Sequence, residues 1–332
     1  QDNMIETGHA RHLPTGLPIY SLYSETRQPT AAMLAGLDTL IIDLQIVGCR
    51  IYTWKSTIAA CLRAAKRDGK RVVVLDRPNP VGGELVEGRV LDADAHSFVG
   101  EYPIPMRHAL TAAEAAQFFN AEIGATLEVV PMANWRPHDY WRDLGRHWVL
   151  TSPNLPTPDP VYVYPGTVIL EGTNLSEGRG TGLPFQLIGA PYISSSALFI
   201  KRVNELIGAA PGVHLREASF QPTSQKWQGK ECNGLQIHVL EPSQVRSYVL
   251  TLAIIKAAMD VGAGGFSWQK PPYEYDYTTT PIKLIIGSHQ VTEHLSEQRF
   301  DPKDPFWNQG IEAYIKEAEK YLLYKRRMRL AD

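Results

Sequence analysis

Apolar and polar positions along this chain fall into blocks whose period changes from strand-like to helix-like and back. "TLIIDLQIV", residues 39–47, is dense in branched apolar side chains and predicts a buried strand, with Asp43 interrupting the run where a sheet emerges from its core. "STIAACLRAAKRDG" carries a helical period that stops at Gly69, and "RVVVLD" predicts another buried strand ending at Asp76. Before them, "LPIYSLY" predicts a short strand and "PTAAMLAGL" a helical connection starting near Thr30. After them, "TAAEAAQFFNAEIG" predicts a helix with Thr111 and Glu114 at capping-box spacing, and "TLEVVPM" a further strand.

This strand–helix–strand alternation implies a mostly parallel sheet covered by helices, because each parallel connection must return to the same end. Ligands of such sheets collect outside the carboxyl ends of the strands, where Asp43, Asp76, Arg77 and Asn79 lie. From Asn134 to Pro160 the texture changes to tryptophans, prolines and charges, which marks a crossover or the wall of a cleft and sets the domain change there. The second half predicts a strand before Glu171, a helix at "SSALFIKRVNELIG", strands at "VHLREASF" and "LQIHVL", and at "SYVLTLAIIKAAM" a helix between layers, apolar nearly all round.

Composition removes several classes of function. With 33 Lys and Arg against 35 Asp and Glu, the net charge of -2 gives no global positive field for nucleic acid. The basic cluster "YKRRMR" reads as the solvated end of a C-terminal helix. Cys49, Cys61 and Cys232 are too few and too scattered for a disulfide framework or a metal-ligand pair. No apolar run is long enough to span a membrane, and a chain of 332 residues can bury its core without structural metal. The polar start "QDNMIETGHARHLPTG" fits either a processed end or an internal fragment.

The richest chemistry lies in "VILEGTNLSEGRGTGLPF", residues 168–185. Its glycines free the backbone for turns, while Glu171, Asn174 and Arg179 offer a carboxylate, an amide and a guanidinium. A loop of that kind suits a sugar, and the same residues also fit an Arg–Glu pair that staples a glycine loop. "GRGTG" lacks the Lys-Ser/Thr of a phosphate loop and does not link a strand to a helix as a dinucleotide fingerprint must, which disfavours nucleotide-dependent transfer. Asn174-Leu-Ser also forms a glycosylation sequon, a frequent chance match.

Other clusters offer a site role and a scaffold role side by side. Asp43 and Gln45 share one strand face if extended, and Arg50 follows the Gly48 turn; a carboxylate near an arginine can orient a hydroxyl or anchor a loop. Asp76, Arg77 and Asn79 crowd a strand exit, where carboxylates would serve glycosidic cleavage. Arg107 and His108 precede the capped helix and can bind an anion there or fill a structural place. Gln236 and His238 face one way on their strand, downstream of Lys226 and Cys232, without metal or dyad spacing. Tyr52, Trp54, Trp135, Trp141 and Trp148 are candidates for stacking on sugar rings or for packing. "HQVTEH" does not have the helical zincin spacing, and no metal site is expected.

Taken together, "TGLPIYSLY", "DLQIVGCRIYTW", "VVVLDRPNPVGG", "SFVGEYPIPMRHALT", "TSPNLPTPDPVYVYPG", "EGTNLSEGRGTGLPF" and "KWQGKECNGLQIHV" resemble the exo-β-N-acetylmuramidase family, formerly a bacterial conserved domain of unknown function. The resemblance runs from about residue 15 to 240, with a weaker match through "YLLY". It implies an α/β fold, with a Rossmann-like layered domain over 1–150, a smaller α/β domain over 151–332 and a substrate cleft between them. It further implies removal of terminal β-linked N-acetylmuramic acid from the non-reducing end of peptidoglycan fragments, without cofactor or metal. Peptidoglycan-derived saccharides or muropeptides are the expected partners, and a periplasmic or extracellular place is expected over a cytoplasmic one.

Within these 332 residues Glu171 is the best acidic candidate for catalysis, and Asp43 is expected to orient substrate or water. Arg50, Arg107 or Arg179 would meet the lactyl carboxylate. Asn154, Asn174 or Gln236 would meet the N-acetyl group and hydroxyls. Asp76, Arg77, Asn79, His108 and His238 complete the expected substrate-binding set. The chain departs from the family at Ile46, where Asp is usual, and at Ala109-Leu110, where Gly-Met is usual. The family's Pro-Glu-His-Gly motif, whose glutamate looks like an acid/base, does not occur in these 332 residues. The expectation is therefore a family member lacking its N-terminal part, or a catalytically weak muropeptide-binding protein.

Overall fold

The computed structural model describes residues 7–208, 210–296 and 300–331, so the first six residues of the polar start lie outside the described residues. The rest of that start forms a hairpin, β1 (Ala10–Arg11) against β2 (Pro18–Ile19). The short strand expected in "LPIYSLY" is β2, which pairs with β1 outside the central sheet. Leu17, Ile19 and Tyr20 stay exposed, with no helix layer to cover them.

A short helix α1 (Ala31–Leu34), capped by Thr30, leads into β3 (Thr39–Ile42), α2 (Trp54–Arg67), β4 (Arg71–Leu75), β5 (Leu85–Val86), α3 (Ala112–Ile123) and β6 (Thr126–Val130). Strands β3, β4 and β6 form a parallel sheet in that order, with Ile42, Val74 and Val129 in register. The inward side chains Val72 and Val74 bury against Ile58 and Leu62 of α2 and Ala116 and Phe119 of α3. The predicted capping box is present: Thr111 Oγ1 accepts from Glu114 N at 3.3 Å, and Glu114 Oε2 accepts from Thr111 N at 2.9 Å.

The strand expected before Glu171 is instead helix α4 (Pro158–Thr167) followed by a 3₁₀ turn, Val168–Gly172. Residues 160–170 are all buried, so this helix has no polar face to reveal a 3.6-residue period, and its branched residues imitate a strand. After β7 (Leu187–Ala190) come α5 (Ser196–Ile207), β8 (Val213–Phe220) and β9 (Cys232–Val239), and the antiparallel order is β7-β9-β8. Helix α6 (Ser247–Val261) is buried along nearly all its length, between layers as its composition implied. Gly166 of α4 lies against its start, where a Cβ would come within 1.8 Å of Ser247 O.

Helices α7 (Pro281–Ile286), α8 (Val291–Ser296) and α9 (Ile311–Ala318) follow, and β10 (Arg329–Leu330) pairs in parallel with β5. The chain end therefore returns to the first half, where Ile311, Tyr314, Ala318 and Met328 join the core of the parallel sheet. "YKRRMR" is not a helix end: Lys325 and Arg327 are exposed, but the Arg326 side chain is buried and pairs with buried Glu114 at 2.6 Å. The architecture is α/β, a Rossmann-like layered unit beside a smaller α/β unit.

Candidate active site

A cavity of about 610 Å³ opens where the two halves meet. The first half contributes the β1–β2 hairpin, Leu44 and the start of α2 at Thr53 and Trp54; the second contributes Tyr164, Glu171, Arg179, Phe185 and the segment 273–275. Tyr52 and Trp54 supply an aromatic wall, their rings 5.5 Å apart, and the Tyr52 hydroxyl donates to Thr151 O at 2.8 Å.

Glu171 stands at the end of the 3₁₀ turn. Its Oε1 accepts from Arg179 Nη2 at 2.5 Å and its Oε2 from the Tyr273 hydroxyl at 2.7 Å. These charge-assisted bonds fix both oxygens in a nearly dry environment, the Glu171 side chain being 8% exposed. The glycines of the loop allow the turn between the partners. Gly178 and Gly180 have φ of 78° and 77°, and a Cβ on Gly180 would meet Ser224 N at 2.5 Å.

Glu274 lines the same cavity. Burial, and then the charge of Glu171, push its pKa up to about 7, against the opposing pull of Arg179 and Arg27. Its backbone sits at φ 42°, a left-handed conformation unusual for a residue with a side chain. One carboxylate clamped by a guanidinium and a phenol thus shares a cavity with another that gives up its proton only around pH 7. Such a division between two acids is what glycosidic cleavage requires.

Of the residues expected from sequence, the structure brings Glu171 and Arg179 to this cavity. Asn154 lies between the wall residues Pro153 and Leu155, its Nδ2 buried without a hydrogen-bond partner. Asp43 is not brought there: it forms an exposed bidentate pair with Arg77, at 2.5 and 2.9 Å, outside the cavity lining.

The remaining candidates lie outside the cavity lining, and most are committed to the scaffold. Arg50 is fully buried and donates to four carbonyls, Arg89 O and Ile104 O at 2.8 Å, Ile285 O at 2.9 Å and Ile286 O at 2.7 Å. Arg107 is buried in an ion pair with Glu87 at 2.5 Å. Asp76 accepts from Ala113 N, Thr111 Oγ1 and Tyr324 OH around the start of α3. Asn79 is buried against Gly48 and donates to Leu110 O. His108 accepts from Leu110 N, and burial, then the nearby Lys55 charge, hold its pKa down to about 3. Asn174 donates to Gly265 O and accepts from Tyr192 OH and Ser267 N, which also occupies the sequon amide. Gln236 accepts from Arg216 across the β8–β9 ladder, and His238 pairs with His214 in the same ladder, both outside the cavity lining.

Sequence reasoning did not single out Glu274, Tyr273, Tyr164 or Glu177. The available signal was "PPYEYDY", residues 271–277, an acid flanked by tyrosines after two prolines. Trp135, Trp141 and Trp148 pack away from the cavity, Trp135 on Tyr324 and the other two on each other. Among the described residues no group of three His, Cys, Asp or Glu is placed to hold a metal ion, and no helix is long and apolar enough to cross a membrane.

Comparison with known proteins bears on both halves. The N-terminal domain model of exo-β-N-acetylmuramidase NamZ matches residues 1–159, and the C-terminal model matches residues 162–324. Peptidoglycan β-N-acetylmuramidase NamZ of Bacillus subtilis (strain 168) is 46% identical, with 93% of this chain and 73% of that protein covered. Crystal structures of two DUF1343 family proteins from Bacteroides fragilis NCTC 9343 superpose with TM-scores of 0.85 and 0.72. They are 30% and 26% identical, and the matches cover 95% and 96% of this chain and 82% of each relative. The expectation that the family's N-terminal part is missing is overturned by the N-terminal match. With both domain models matched in order along one chain, this protein belongs to the exo-β-N-acetylmuramidase NamZ family.

Proposed function

We propose that this protein is a glycoside hydrolase that releases terminal β-linked N-acetylmuramic acid from the non-reducing end of peptidoglycan fragments. The observation that carries the reading is the pair Glu171 and Glu274 in one cavity of a chain whose relative in Bacillus subtilis bears the name of that activity. Glu274 is the proton donor: with a pKa of about 7 it holds a proton that it can give to the glycosidic oxygen as the bond to the anomeric carbon breaks. Glu171, held by Arg179 and Tyr273, faces the positive charge that develops on the sugar. Water supplies the hydroxyl to the anomeric carbon, and its remaining proton restores the carboxyl pair. Tyr52 and Trp54 offer faces for the sugar ring.

This assignment moves the acid role from Glu171 to Glu274, because Glu171 is already occupied by two donors. The natural setting for such a substrate is the periplasm or the cell exterior, where peptidoglycan lies; detection only in the cytoplasmic fraction would overturn that placement. The test is release from a chromogenic N-acetylmuramic acid β-glycoside by the wild type and by Glu274→Gln and Glu171→Gln. Each variant should lose at least about 100-fold in kcat, as expected on removing an acid or an electrostatic stabiliser. Equilibrium binding of the sugar without turnover by the wild type would replace hydrolysis by muropeptide binding.

A further inference from the structure

We infer that Lys226 and Glu177 are positioning residues of this site, acting through Arg179 to fix the orientation of Glu171. The inference rests on the hydrolase reading for its consequence in catalysis, and on geometry for its content. Neither residue lines the cavity. Lys226 comes from the segment between β8 and β9, and its Nζ donates to Leu170 O at 2.8 Å, Leu175 O at 3.1 Å and Glu177 Oε2 at 2.8 Å. The two carbonyls flank Glu171 in the chain, so one ammonium clamps both sides of the turn that presents it.

Glu177, with its side chain 4% exposed, passes the contact on: its Oε1 lies 3.2 Å from Arg179 Nε, while Arg179 Nη2 holds Glu171. Lys226, Glu177, Arg179 and Glu171 therefore alternate in charge from behind the cavity to its wall. Burial works against the Glu177 charge, yet Lys226 and Arg179 hold its pKa below the usual range. The guanidinium serves two carboxylates, and Lys226 satisfies enough of Glu177 to leave Nη2 for Glu171. A buried ion network of this kind is costly to leave half-paired, so each partner constrains the next.

Opposite changes at the two residues should then have opposite effects on the proton donor. The charged and titratable groups acting on Glu274 are Glu171 and Arg179 from the second half and Arg27 from the first, with Tyr164 and Tyr273 also beside Glu171. Without Lys226, Glu177 draws Arg179 away, and the less compensated Glu171 raises the proton affinity of Glu274. Without the Glu177 charge, Arg179 turns wholly to Glu171 and that affinity falls.

The experiment follows the Glu274 carboxyl by ¹³C NMR titration, with kcat, KM and thermal midpoint measured beside it, in Lys226→Met, Lys226→Arg and Glu177→Gln. The expected result is a titration moved upward in Lys226→Met and downward in Glu177→Gln. The first variant should also lose about 10-fold in kcat with KM within about 2-fold, and Lys226→Arg should recover most of the loss. A purely structural role would lower the thermal midpoint without moving the two titrations in opposite senses. Titrations that stay in place or move together overturn the inference, and so does a Lys226→Arg variant as impaired as Lys226→Met. Absence of wild-type turnover counts against the hydrolase reading instead, since the NMR arm reads the positioning without it.

Discussion

The Tyr273 hydroxyl donates to Glu171 Oε2 at 2.7 Å, which ties the segment carrying Glu274 to the turn carrying Glu171. Tyr273 is buried, and burial, followed by the Glu171 charge, raises its pKa well above the usual phenol value, so it remains a donor at any working pH. Tyr273→Phe removes this bond and leaves the ring. Hydrogen bonds to charged groups contribute about 1.5–3 kcal/mol, so kcat/KM should fall by roughly 10- to 100-fold, with little change in far-ultraviolet circular dichroism. Activity within about 2-fold of wild type would remove Tyr273 from the site.

Glu274 predicts the pH dependence. As proton donor with a pKa of about 7, it should give a rate that falls as pH rises above that value, a limb that Glu274→Gln abolishes along with most of the activity. The same shift bears on stability. The folded state keeps a proton that the unfolded chain, at the ordinary value of 4.5, has released. Its contribution is complete below pH 4.5 and is lost as pH rises to about 7, on the order of 3 kcal/mol. Denaturant titrations of wild type and Glu274→Gln at pH 4.5 and 8 should show that difference only in the wild type.

Asp43 and Arg77 form an exposed pair outside the cavity, each side chain more than two-fifths exposed. Surface pairs of this kind contribute about 1 kcal/mol or less. Asp43→Asn combined with Arg77→Gln should therefore leave kcat and KM within about 2-fold. A 10-fold loss of activity in the folded double variant would bring the pair back to the substrate.

Two glycines separate close packing from loop freedom. A Cβ at Gly166 would overlap the Ser247 carbonyl at 1.8 Å, and backbone cannot move aside as a side-chain tip can. Gly166→Ala should cost about 3 kcal/mol or more, measured by chemical denaturation. Gly182 has no atom within 4 Å of the corresponding position, and Gly182→Ala should stay within about 0.5 kcal/mol of wild type.

The parallel sheet and its helices were legible because their signals are local: branched runs at β3 and β4, a one-sided apolar stripe in α2, and the Thr111–Glu114 cap of α3. Helix α4 was not, since burial on every side erases the contrast that identifies a helix. Glu171 and Arg179 could be found as a pair because one glycine-rich segment holds both. Glu274 could not, because its raised pKa comes from burial and from a neighbour that only the fold supplies. Arg50 and Arg107 looked available for an anionic sugar for the converse reason. A sequence shows an arginine's charge, but not that carbonyls or a buried carboxylate already consume it.

Arg50 has a mechanical consequence. Its guanidinium, fully buried, grips Arg89 and Ile104 on one side and the end of α7 on the other, so moving those parts relative to one another would rupture charge-assisted bonds. Arg50 is thus a rivet between the first half and the end of α7, and any motion of one against the other has to break it.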